Sequence, residues 1–188
     1  MTDKFIDNLD PTTVVLSDNL ITEARVLAEA TFERFARVRG SYRNTLNSHF
    51  VGRLGELLVE QFLLSSEIQI DSAFRDSNRD RECDLLSGQA RLEVKTWNSD
   101  YWAAWGRCIA VTQLPAIKRK ADIFVWTTVS DPRSARVTGK IRGWNYVEDV
   151  AGHVPMETGP AGHKVLNYQI PTGEVRPMGD LFERLCRS

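Results

Sequence analysis

The stretch Glu82-Cys83-Asp84-Leu85-Leu86-Ser87-Gly88-Gln89-Ala90-Arg91-Leu92-Glu93-Val94-Lys95-Thr96-Trp97 decides the reading of this chain. Two runs of strand-forming residues, Glu82 to Leu86 and Ala90 to Trp97, flank Ser87-Gly88-Gln89, a hairpin signal. Strand side chains alternate between faces. Leu92, Val94 and Thr96 therefore share one face, and Arg91, Glu93 and Lys95 the other. A two-residue loop at Gly88-Gln89 pairs Ser87 with Ala90 and sets Asp84 opposite Glu93. Opposed residues hold their Cβ atoms roughly 4.5–5.5 Å apart. Two carboxylates at that spacing repel each other unless a cation lies between them. A hard divalent ion meets that need, and Mg²⁺ commonly takes one or two carboxylates plus waters and phosphate oxygens. Lys95 projects beside them, where it can hold a phosphate oxygen or orient an attacking water. The plainer alternative is a solvated hairpin face on which Lys95 neutralises Glu93.

Outward from the hairpin, helical and strand periods alternate. Ser17-Asp18-Asn19 offers an N-cap to a helix over Ile21 to Val38, with Leu27, Ala28, Phe32 and Phe35 at helical spacing. A second helix runs from about Leu46 to Leu64, with Phe50, Leu54, Leu57, Leu58 and Phe62 as its apolar stripe. Ile68 to Phe74 reads as a strand and Asp76 to Asp80 as a polar loop. After the hairpin, Val111 to Arg119 is a short helical candidate with Pro115 in its first turn. Asp122 to Val129 and Arg136 to Trp144 are apolar strands. The Gly- and Pro-punctuated tail holds a strand near Val165 to Ile170 and a short helix near Gly179 to Cys186. No repeat or low-complexity linker divides the 188 residues. The expectation is one α/β domain: a mixed central sheet flanked by helices, with a core over about 44–144, a helical lead-in over 18–39 and extra C-terminal strands over 145–188.

Asp84 followed by Glu93-Val94-Lys95 resembles the Asp…Glu-x-Lys motif of the PD-(D/E)XK, restriction-endonuclease-like nuclease superfamily. Cys83 stands where the motif's name has proline. Further stretches resemble the family in order. These are Gly52-Arg53-Leu54-Gly55-Glu56 in the preceding helix, Gln113 opening the following helix, Ala121-Asp122-Ile123-Phe124-Val125-Trp126 as a buried strand, and Val137 to Trp144. The similarity spans roughly Gly52 to Trp144 and leaves the lead-in helix and the tail unaccounted for. The resemblance implies an αβββαβ core and metal-dependent hydrolysis of phosphodiester bonds, with DNA the expected substrate and Mg²⁺ the cofactor, Mn²⁺ substituting. It makes Asp84 and Glu93 metal ligands, with the Val94 carbonyl as a third. Lys95 would position the nucleophilic water. Glu56 would act through a water on the metal, and Gln113 would orient Lys95 or the phosphate. On a helical wheel Glu56 points away from the apolar stripe, which suits either a residue reaching a cleft or a plain surface glutamate.

Other residues carry two readings each. Trp97, Tyr101, Trp102 and Trp105 follow the hairpin, and Trp102 and Trp105 share a helical face. Such rings can stack on bases or pack the edge of the sheet. Arg37, Arg39 and Arg43 near the end of the first helix, and the run Lys118-Arg119-Lys120, are candidates for phosphate contact or solvated helix-end charge. His49, His153 and His163 lack metal-triad spacing, and neither a Gly-x-Ser-x-Gly element nor a phosphate loop is present. Cys83, Cys108 and Cys186 form no Cys-x-x-Cys knuckle and no disulfide framework. A formal net charge of −1 argues against a nucleic-acid coat protein but leaves room for local basic patches. No apolar run approaches the roughly 18 residues that span a bilayer, and Met1-Thr2-Asp3-Lys4 is unlike a secretory leader, so a cytoplasmic protein without a membrane partner is expected. A homodimer would suit cutting both strands of a duplex. The readings in competition with a nuclease are a nucleic-acid- or partner-binding domain of the same fold with weak or no catalysis, and an unrelated α/β domain with a charged hairpin.

Overall fold

The computed structural model describes residues 13–35, 45–79, 82–159, 162 and 164–186. The central layer is a mixed five-stranded sheet built from β1 (Thr13–Val15), β2 (Leu85–Ser87), β3 (Ala90–Asn98), β5 (Ile123–Val129) and β6 (Thr138–Tyr146), in the order β1-β6-β5-β3-β2. Its one parallel pair is β3 with β5, and the other neighbours run antiparallel. A smaller sheet of β4 (Cys108–Ala110), β7 (Met156–Thr158) and β8 (Val165–Gln169) stands beside it.

Helix α1 (Asp18–Phe35) and helix α2 (Leu46–Ser65) cover one face. Ser17 Oγ caps α1 by accepting from the Leu20 amide at 3.3 Å. In α2, Thr45 and Ser48 close a reciprocal capping box, each amide donating to the other's hydroxyl at 3.1 Å. The small side chains Ala24 and Ala28 are fully buried, which lets α1 lie close on α2. Leu54, Leu57 and Leu58 of α2 pack on Leu92 and Val94 of β3 and on Ile123 and Val125 of β5. Each fully buried aliphatic side chain there contributes about 1.5–3 kcal/mol. Helix α6 (Met178–Cys186) adds Met178, Leu181 and Leu185 to the same core.

The opposite face carries α3 (Trp102–Trp105), α4 (Leu114–Lys120) and α5 (Val147–Ala151). Phe124 and Trp126, the alternate residues of β5, enter a second core with Trp102, Leu114, Ile117 and Ile170. All seven residues of β5 are buried, the run expected of a strand covered on both faces. No helix among the described residues is long and apolar enough to cross a membrane.

The mixed sheet flanked by helices agrees with the expectation, and several details differ. Ile68 to Phe74 is not a strand. Only Asp71 bridges β2, at Leu86, and Ala73–Arg75 then turns as a 3₁₀ helix that buries Phe74. The apolar pattern there serves this turn rather than a ladder. Ahead of the helical lead-in, Thr13–Val15 forms β1, a strand not expected there, which extends the sheet at β6. The loop at Gly88-Gln89 holds the expected register, Ser87 with Ala90 and Leu85 with Leu92, although β2 is only Leu85–Ser87, starting three residues later and ending one later than expected.

Candidate active site

The site lies where β2 stops and β3 runs on. The Asp84 amide donates to the Leu92 carbonyl at 3.0 Å, and the ladder ends there. Asp84 then replaces the missing strand with its side chain, Oδ2 accepting from the Val94 amide at 2.8 Å. The N–H and C=O of a strand residue face the same edge, so the Val94 carbonyl opens on this side as well. Asp84 and Glu93 thus meet at one edge of the sheet, as the hairpin register requires.

Glu93 is buried and holds two ammonium groups. Lys95 Nζ donates to Oε1 at 2.7 Å. Lys120, at the end of α4, brings Nζ to 2.6 Å from Oε2. That second contact is an ion pair by distance, but its direction leaves Oε2 without a hydrogen bond, alone in this among the described buried side-chain atoms. Burial alone would raise the Glu93 carboxyl, but Lys95 and Lys120 overcome it and hold it below the usual range. Asp84 is pushed well up by burial, then by the charges of Glu93 and Glu56, with Lys120 and Lys95 offsetting part of this. Burial works against the charged form of Lys95, yet Glu93 and Asp84 more than compensate and raise its pKa.

Glu56 reaches this cluster from α2. It pairs with Arg53 one turn back, and Arg53 donates in turn to Thr31 Oγ1 at 2.8 Å. Burial raises its pKa more than Arg53 lowers it, and Glu93 adds to the rise. The alternative of a plain surface glutamate is thereby removed. Gly55 allows the approach. A Cβ there would stand 1.9 Å from Thr96 Oγ1 and 2.5 Å from Thr127 Oγ1, so only a glycine lets α2 sit this close to β3 and β5. A cleft of about 140 Å³ opens beside Asp84 and Glu56, with Arg34, Arg53 and Arg79 on its walls.

The remaining candidates fall in different places. Gln113 is exposed at the start of α4, and its side chain makes no hydrogen bond to Lys95. The run Lys118-Arg119-Lys120 divides: Lys118 pairs with Glu148 at 2.8 Å, Arg119 is exposed, and Lys120 enters the site. Trp102 is buried beneath the guanidinium groups of Arg107 and Arg142, 5.1 and 5.4 Å from its ring centre, which leaves it no open face for a base. Trp105 is half-buried and stacks against exposed Tyr101 at 5.2 Å. Arg37, Arg39 and Arg43 lie outside the described residues. Two features escaped sequence reasoning. The i,i+3 spacing of Arg53 and Glu56 could have signalled their pair. The contact of Lys120 with Glu93 spans 27 residues and depends on where α4 packs.

Among the described residues no group of three or more His, Cys, Asp or Glu side chains forms a preformed metal cage. The donor set fits Mg²⁺ nonetheless, since that ion keeps several waters and needs only one or two carboxylates. The Asp84 carboxylate, crowded by Glu93 and Glu56 and without an ion pair among the described residues, is the oxygen donor such an ion would satisfy first. No family model matches the chain, and no curated protein or solved structure matches it.

Proposed function

We propose that this chain is a metal-dependent nuclease that hydrolyses phosphodiester bonds, with DNA as substrate and Mg²⁺ as cofactor. The observation that carries the reading is the convergence of Asp84, Glu93 and the Val94 carbonyl beside Lys95 at one edge of the sheet, where Asp84 and Glu56 border a cleft lined by both arginines and carboxylates. Asp84, Glu93 and the Val94 carbonyl would hold the ion, which when bound supplies positive charge to a phosphate oxygen. Lys95 orients the attacking water and stabilises negative charge on the phosphoryl oxygens as it develops. Glu56, whose charge is felt by Glu93 and Asp84, would act on that water from α2. Water adds at phosphorus, the ester P–O bond breaks, and one product keeps the phosphate while the other takes a hydroxyl.

The test is a thermal melt with Mg²⁺, Mn²⁺ or chelator, run beside cleavage of a panel of linear, circular, branched and single-stranded substrates. Either ion should raise the melting temperature of the wild type by mass action. Asp84→Asn should lose that gain and all cleavage. Without metal it should melt no lower than the wild type, because it removes a charge that burial and two neighbouring carboxylates disfavour. Equal stabilisation of both proteins by metal would remove the site.

One observation favours the second reading, a binding domain without catalysis. Lys95 and Lys120 already neutralise Glu93 without a metal. DNA retention with no cleavage of any substrate in either ion would select it.

A further inference from the structure

Arg142 is the extra residue of a β-bulge. Trp126 pairs with Gly143 and Thr127 with Ile141, which leaves Arg142 opposite no residue of β5. Bulges re-aim side chains and gather next to active sites. This one is fixed in place: Gly143 has φ +136°, and a Cβ there would stand 2.3 Å from the Arg176 carbonyl. Only glycine suits that backbone conformation.

The bulge lays the Arg142 side chain across the face of the sheet. Its Nε donates to Thr128 Oγ1 at 2.9 Å, and its guanidinium stacks over Trp102. Nothing else engages it. Its terminal nitrogens make no hydrogen bond and no ion pair among the described residues, and they are not sealed from solvent. Several other arginines differ. Arg53, Arg75, Arg79, Arg91 and Arg176 each end on a carboxylate. Arg107, on the same indole, spends its donors on the carbonyls of Ile170, Trp102 and Ala103. Burial holds the Arg142 pKa below its ordinary value, with no carboxylate to oppose it. A guanidinium held over an indole, with its outer fork open, has the chemistry that receives two oxygens of a phosphate.

Arg142 lies on the face of the sheet that carries Lys95, opposite α1 and α2. Lys95 pairs with Trp126 and Trp97 with Thr128, so all four side chains share one face with Arg142. Two strand spacings separate β3 from β6, about 10 Å. That backbone spacing suits a phosphate next to the one at Lys95 on the same strand.

We propose that Arg142 is a phosphate-binding subsite, which grips a phosphodiester next to the one cleaved and so fixes the strand's register over Lys95. The proposal rests on the nuclease reading for its ligand.

The experiment measures binding of a labelled DNA oligonucleotide in Ca²⁺ over a salt series, with wild type, Arg142→Gln and Asp84→Asn. Arg142→Gln should bind about tenfold more weakly, the scale of losing a hydrogen-bonded charge. Its log-log salt slope should fall by about one. Its Mn²⁺-induced rise in melting temperature should match the wild type. Scanning the DNA with single neutral methylphosphonate linkages tests the wild type directly, whatever the variant's stability. One linkage beside the cleaved position should weaken wild-type binding about tenfold and leave Arg142→Gln binding unchanged. A wild type indifferent to every neutral linkage beside the cleaved one overturns the subsite. So does an Arg142→Gln protein with wild-type affinity and slope. Either result leaves the nuclease reading standing if Asp84-dependent cleavage persists. Failure of the wild type to bind DNA at all overturns both.

Discussion

Replacing Gly55 and Gly52 by alanine, one at a time, tests how α2 delivers Glu56. Both glycines lie inside α2, and alanine gains about 1 kcal/mol over glycine in a helix interior. Gly52 has nothing within 4 Å of an added Cβ, so Gly52→Ala should collect that gain. For a chain of this size it corresponds to a rise of about 2–4 °C in melting temperature. Gly55→Ala meets Thr96 Oγ1 at 1.9 Å, Thr127 Oγ1 at 2.5 Å and Thr96 Cβ at 2.9 Å. Rotating the hydroxyls away would break the 2.9 Å hydrogen bond from Thr127 to Thr96, and Thr96 Cβ cannot move without β3. Overpacking of this kind costs about 1–3 kcal/mol. The helix gain is common to both variants, so the difference between them isolates the contact at about 1–3 kcal/mol. Denaturant unfolding of the two proteins side by side gives it directly. If Gly55→Ala stabilises as much as Gly52→Ala, α2 does not rest on β3 at this distance, and Glu56 is not held where the site needs it.

The two lysines on Glu93 should respond in opposite ways. Lys95→Ala should cut single-turnover cleavage by roughly 10²-fold or more, because its charge acts on the transition state. DNA affinity in Ca²⁺ should change little, and undiminished cleavage would sink the mechanism. Lys120→Met removes a cation that competes for Glu93 Oε2, so Mn²⁺ affinity should rise by about tenfold or more, the scale of one charge a few ångströms away. The metal-free protein should melt lower, by less than the roughly 3–5 kcal/mol of a broken buried pair, since Lys95 remains on Oε1. Unchanged or weakened Mn²⁺ binding in Lys120→Met would mean that the ion does not sit at Oε2.

The hairpin was the most legible part of the molecule because its determinants are local. A two-residue loop and an alternating pattern fix which residue faces which, and the predicted pairing of Ser87 with Ala90 is the observed one. The two long helices follow from periodicity and capping in the same way. Ile68 to Phe74 misled because its apolar residues are buried by a turn, and alternation cannot distinguish a ladder from a turn that fills the same space. β4 and β7 were not recognised, since three-residue strands carry too little pattern to be read. Trp102 shows the same limit for the site. A tryptophan beside a catalytic motif suits base stacking equally well until Arg107 and Arg142 are found across its ring.

The charges at the edge of β3 bear on whether this cluster exists for stability. Glu56, Asp84 and Glu93 face Arg53, Lys95 and Lys120, so the formal charges balance. The directed contacts do not. Among the described residues the Asp84 carboxylate accepts one hydrogen bond, from the Val94 amide, and has no cation of its own, while Glu93 has two. A buried ion network is weak evidence for stability, because apolar residues of the same volume often serve as well or better. Burial and the neighbouring carboxylates push Asp84 toward its neutral form, so in the metal-free protein its charge is a cost. A divalent ion between Asp84 and Glu93 turns that cost into binding energy and frees Lys120 from Oε2. Under the proposed function, this imbalance would be the metal-free state of a site completed by an added cation, and the Lys120→Met and Asp84→Asn measurements decide whether it is.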